Sequence, residues 1–214
     1  MRNKKLWLVG GVFLGLLFVG GGVFLWQRQR KPAEISQEAP PERKLLVTPP
    51  PAEEMSYETF TTEDGNFSLE YPQAWIQTEI KNLETVLPKN FIDKYGLTIP
   101  LLLSDPRGAQ TSLSIYHFEE GMGLEAVMDA LKADLVSLGQ PYNEVSRKKV
   151  GDSLVVDSTV NTQGVTVKVR DVLFLAPGLP KNIVYGLSFT AREDSWGEYE
   201  AVFNHVQTSA RLSR

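Results

Sequence analysis

Apolar and polar residues alternate or recur along most of the chain after residue 56, and the two periods predict its elements. Phe67, Leu69 and Tyr71 alternate in a strand that follows Tyr57–Thr62 across a turn at Asp64-Gly65, and Pro72 ends it. Leu97–Leu103 and Ser112–Phe118 read as strands joined through Asp105-Pro106-Arg107-Gly108, whose residue types suit a type I turn. Leu124, Val127, Met128, Leu131, Leu135 and Leu138 form a helical stripe that Gly139 and Pro141 stop. Asn143–Val150, Ser153–Val160 and Val165–Leu175 then read as a meander of strands. Val165, Val167 and Val169 oppose Thr166, Lys168 and Arg170, and the pattern reverses near Asp171, which predicts a bulge there. Ile183, Tyr185, Leu187 and Phe189 alternate in a further strand over Asn182–Thr190. A last helix, with Ser195 and Glu198 spaced as a capping box, carries Tyr199, Val202, Phe203 and Val206 on its apolar face. Gln77–Tyr95 shows no clear period. Two helices against a mostly antiparallel sheet predict an α+β sandwich.

The first 56 residues follow different rules. Residues 1–5 are a short basic tail, and Leu6–Trp26 is an uncharged run of 21 residues containing only Leu, Val, Phe, Gly and Trp. As a helix that run reaches about 31 Å, the hydrocarbon thickness of a bilayer. Trp7 and Trp26 stand where the interfaces would be. The pattern predicts a transmembrane helix at 6–26 and contact with the lipid bilayer. Gly20-x-Gly22 is a poor cleavage site with four more apolar residues behind it, so an uncleaved anchor fits better than a removed signal peptide. Gly11, Gly15 and Gly22 share a helix face, as dimerising helices require, although glycine is common in membrane helices generally. Three basic residues flank the run on each side, so charge alone does not orient it. The five-residue tail favours a cell-membrane protein, single-pass, with its domain on the extracytoplasmic side. Residues 27–56, with Pro40-Pro41 and Pro49-Pro50-Pro51, read as a proline-rich linker spanning roughly 30 Å or more. The globular domain is expected at 57–214.

Charge divides the same way. Residues 1–31 carry six basic and no acidic side chains, whereas 57–214 carry 14 basic against 21 acidic. An acidic domain repels phosphate backbones, so no nucleic acid is expected as a partner. The chain has no cysteine, which excludes disulfides, thiolate metal sites and thiol catalysis.

Phe67-Ser-Leu-Glu-Tyr-Pro-Gln-Ala-Trp75 resembles the opening of the PsbP-like family, an alternating strand closed by Tyr-Pro-x-x-Trp. Val184–Ala191, followed by Trp196–Phe203 and Ser209, is similar to that family's last strand and helix. The resemblance covers about residues 57–214, with an insertion between Ile76 and Leu97. It implies an α/β/α sandwich outside the membrane, acting as a non-catalytic binding or complex-assembly module. Family members in photosynthetic organisms assist photosystem II with its calcium and manganese. A transmembrane anchor in place of a transit peptide or lipidated cysteine departs from that pattern and weakens transfer of the photosystem role. Tyr71, Pro72 and Trp75 are expected in core and turn.

Catalytic signals are sparse. Gly121-Met-Gly-Leu-Glu-Ala126 matches G-x-G-x-x-A, but Glu119 and Glu120 precede it and an antiparallel meander follows, so loop glycines opening a helix explain it. His117 and His205 lack metal-ligand spacing. Glu63-Asp64, Glu119-Glu120 and Glu193-Asp194 read as solvated loop acids, though such pairs can hold hard cations. No catalytic, cofactor-binding or metal-binding residue is assigned, and the chain is not expected to be an enzyme. The leading reading is a membrane-anchored module with a membrane or extracytoplasmic protein partner. The alternatives are a metal- or small-ligand-binding sensor domain and a hydrolase assembled from distant residues.

Overall fold

The computed structural model describes residues 55–139, 142–162, 164–176 and 181–213. The expected tail and anchor, and nearly all of the linker, lie outside the described residues. Among the described residues no helix is long and apolar enough to cross a membrane.

Among the described residues the chain forms ten strands and three α-helices. The strands are β1 (Tyr57–Thr61), β2 (Phe67–Pro72), β3 (Ile76–Gln77), β4 (Thr98–Ser104), β5 (Gln110–Glu119), β6 (Asn143–Val150), β7 (Ser153–Thr162), β8 (Val165–Ala176), β9 (Lys181–Arg192) and β10 (Arg211–Leu212). The helices are α1 (Lys89–Tyr95), α2 (Leu124–Ser137) and α3 (Trp196–Ser209). Seven strands make an antiparallel sheet in the order β3-β4-β5-β9-β8-β7-β6, and β1-β2-β10 make a second, small sheet. This is the expected α+β class.

Alternation along the central strands separates two cores. On one face Leu113, Val155, Val172, Leu187 and Phe189 pack with Tyr199, Val202 and Phe203 of α3 and with Phe67 and Leu69 of β2. On the other, Tyr116, Leu154, Val156, Leu173 and Val184 pack beneath α2 and α1. The Phe67 ring stacks on Tyr185 at 4.8 Å and joins the small sheet to the large one. Tyr95 donates to Asp134 at 2.7 Å, and Lys94 pairs with the same carboxylate, so α1 and α2 share one layer.

Glycines close the turns where the backbone must turn left-handed. Gly65 (φ +70°) donates to the Thr62 carbonyl, and Gly139 (φ +73°) ends α2 with a bond to Val136. Gly108 donates to Asp105 at 2.9 Å, closing the expected turn between β4 and β5.

Two local expectations fail. β8 has no bulge at Asp171, because its register against β7 and β9 runs unbroken from Val167 to Phe174. Both faces of the sheet are covered there, so Asp171 points inward on one side and Val172 on the other. The register shifts lie instead in β6, between Glu144 and Ser146, and in β4, between Thr98 and Leu101. Ser195 does not form a capping box either. A 3-10 turn over Glu193–Ser195 runs directly into α3, so Ser195 already has helical dihedrals and its hydroxyl donates back to Arg192 O at 3.2 Å.

Candidate binding cleft

The structure separates most of the chemistry-bearing residues noted in the sequence. His117 contacts the Gly96 carbonyl through Nδ1 at 3.3 Å. His205 lies on α3, its Nε2 2.8 Å from a Glu70 oxygen and its ring stacked on Tyr57 at 3.8 Å. Ser209, one turn further, donates to Val206 O and accepts from the Glu70 amide, so it does not engage His205. No histidine–serine hydrogen bond is present among the described residues.

The acid pairs belong to turns. Asp64 accepts from the Thr62 hydroxyl at 2.6 Å, from Asn66 and from the Tyr185 hydroxyl at 3.3 Å. The Thr62 bond leads in holding its carboxyl below the usual range. Asp194 pairs with Arg192, and Glu119 and Glu120 are exposed at the end of β5. Among the described residues no three acids or histidines come together in a metal-binding group.

Tyr71, Pro72 and Trp75 hold structural positions. Tyr71 donates to Glu58 at 2.9 Å, and the Trp75 amide closes a turn onto Pro72 O. The Trp75 ring is 5% exposed and meets Tyr199 and Phe203 edge-on.

What the fold builds from several elements is a cleft of about 820 Å³. The turn between β5 and α2 supplies one wall. There Gly121 is left-handed, Gly123 is the extended N-cap, and Asn182 at the start of β9 donates to Met122 O at 3.3 Å. This is the G-x-G-x-x-A stretch, and its glycines serve the turn as expected. Leu124, Leu154, Leu175 and Ile183 give an apolar lining from α2, β7, β8 and β9, and Leu212 of β10 closes the far side. The Ser213 amide donates to Asn66 O at 2.8 Å, which fixes that edge against the β1–β2 turn.

The rim is polar and carries both signs of charge. Glu125 is held by Arg147 at 3.0 Å, and Lys149 and Asp152 flank the turn between β6 and β7. A volume of this order with an apolar lining and few polar groups matches the general form of binding clefts. It offers surface and shape but no nucleophile paired with a base. The sequence placed Leu124 and Ile183 on the apolar faces of their elements, and Leu154 and Leu175 within two further strands. Their convergence at one end of the sheet depends on strand order and carried no local signal.

No protein-family model matches the chain, and no curated protein matches it by sequence. Among solved structures, it is similar to LpqN of Mycobacterium tuberculosis, at 11% identity over 75% of this chain and 92% of LpqN, with a TM-score of 0.50. Cyanobacterial PsbP (CyanoP) of Synechocystis sp. PCC 6803 aligns at 14% identity over 74% of this chain and 94% of its own, with a TM-score of 0.44. The Saccharomyces cerevisiae Ran-binding protein Mog1p aligns at 11% identity over 74% and 96%, with a TM-score of 0.46. The likeness to LpqN extends to the fold.

Proposed function

We propose that this chain is a non-catalytic, PsbP-like binding module, anchored in the membrane by residues 6–26 and presented on the extracytoplasmic side by the 27–56 linker. Its cleft receives an apolar segment of a membrane or extracytoplasmic protein partner. The observation that carries this reading is the cleft itself, an apolar lining contributed by five elements inside a charged rim. Buried apolar area supplies affinity in such a site and the rim supplies orientation. The fold it shares with LpqN, a protein involved in cell envelope biogenesis, supports an assembly role.

The test places a photo-crosslinking residue at Ile183 in the full-length protein and recovers adducts from membranes. Ala176→Arg, at the half-buried wall, is the companion variant. A discrete protein adduct lost in Ala176→Arg, with the melting temperature unchanged, is the expected result. Adducts identical in the two proteins would refute the cleft as the binding surface. A co-purifying small molecule displaced by Ala176→Arg would favour the ligand-sensor alternative, because the cleft's volume also suits a small ligand.

A further inference from the structure

On the α2 side of the large sheet, one row of inward side chains is polar. Register places Ser112 of β5, Ser188 of β9 and Asp171 of β8 next to one another, and apolar Val156 of β7 ends the polar run. Asp171 is 5% exposed, and the Ser188 hydroxyl donates to its Oδ1. Asp171 forms no ion pair among the described residues. Close by, the Tyr116 hydroxyl stands against Ser114 and that of Tyr142 against Ser158, while the Thr190 hydroxyl is buried without a protein partner among the described residues. Gly186, beside Ser188 on the same face, makes room for this arrangement. A Cβ there would stand 3.2 Å from Tyr116 Cε2, so the ring uses the space that the glycine leaves. The phenols of Tyr116 and Tyr142 both lie near enough to Asp171 for its ionised form to push them up, after burial, which pushes them most.

The surrounding charges do not neutralise this carboxyl. β5 contributes Tyr116, with Tyr95 of α1 behind it. The segment after α2 contributes Tyr142, whose ring lies 5.4 Å from Lys132, and Lys132 is bound to Glu144 of β6. Arg147 is taken by Glu144, Glu125 and Asp129. On the opposite face, Arg170 is taken by Asp157. α2 itself brings apolar Leu131 and Leu135. An isolated buried carboxylate in such surroundings costs several kcal/mol, and the group remains neutral instead. Burial pushes the Asp171 carboxyl up to about 7, against the pull of Ser188 and with a further push from Asp157.

We propose that Asp171 is a buried proton switch: neutral, it sits closed beneath Tyr142 and the C-terminal half of α2, and on losing its proton to solvent it loosens that cover. The sign follows from the direction of the shift. A carboxyl titrating higher in the folded than in the unfolded chain contributes stability at acid pH, and that contribution is lost as pH rises to the folded value.

The experiment compares the full-length protein in detergent micelles with Asp171→Asn, by urea unfolding at constant ionic strength across the acid-to-neutral range. The two folding constants should be similar near pH 4. The wild-type constant should then fall about tenfold per pH unit relative to the variant, on the order of a thousandfold in all, and level off above neutrality. Hydrogen exchange over residues 131–139 should be faster in wild type than in Asp171→Asn above neutrality and equal in acid. If Asp171→Asn does not fold, a carbon NMR titration of the wild-type Asp171 carboxyl gives the answer directly, as a midpoint far above that of an ordinary aspartate. A pH-independent ratio between the proteins, or an Asp171 midpoint in the ordinary range, overturns the proposal.

Discussion

Trp75→Ala separates the structural role of the tryptophan from a role in partner contact. The ring is 5% exposed and wedged edge-on against Tyr199 and Phe203 of α3. A tryptophan buries on the order of 200 Å². At about 25 cal/mol per Å² that is roughly 5 kcal/mol, an upper figure because denatured chains keep part of such surface covered. Large aromatic deletions in cores cost about 3–5 kcal/mol once the cavity is included, so the two routes agree. For a domain of this size each kcal/mol moves the melting temperature by about 2–4 °C, which predicts a fall of roughly 6–20 °C. The assay is thermal unfolding of the full-length protein followed by far-ultraviolet circular dichroism. Trp75→Phe, which retains an aromatic edge toward α3, should fall less. A Trp75→Ala protein that melts with wild type while losing its partner would refute the anchor and make Trp75 a binding residue.

Gly186→Ala should cost about 1–3 kcal/mol in urea unfolding, because the new methyl meets Tyr116 at 3.2 Å and Leu173 at 3.4 Å inside a covered sheet. Burial pushes the Asp105 carboxyl up, but hydrogen bonds from Arg107 and Tyr199 outweigh it and hold the group below the usual range. The stability Asp105 contributes is therefore present at neutral pH and lost as pH falls below about 4, and Asp105→Ala should flatten that acid limb of the urea-stability profile. Protease added to intact spheroplasts should cut between Lys31 and Met55 and release a fragment of near-domain size. A full-length band that survives until the membrane is permeabilised would place the domain inside.

Elements whose burial is one-sided were legible in the amino-acid pattern. The stripe from Leu124 to Leu135 and the alternation in β2 report directly which face each element covers, because a single period satisfies both water and core. The turns at Asp64-Gly65 and Asp105–Gly108 were legible for a local reason, since their residue types set the backbone dihedrals. Where contacts from distant segments decide, the pattern fell silent or misled. α1 buries only Phe91 and Tyr95 in seven residues, too few to show a period. β3 and β10 are two residues long and exist only because Leu103–Ser104 and Phe67–Ser68 offer them partners. In β8 the alternation ends at Asp171, where both faces become interior and a carboxyl can point inward without a change of register. That burial, the polar row around it and the cleft at the end of the sheet arise from strand order and layer packing. They bring together residues tens of positions apart, and in the cleft more than a hundred, distances over which no local period carries information.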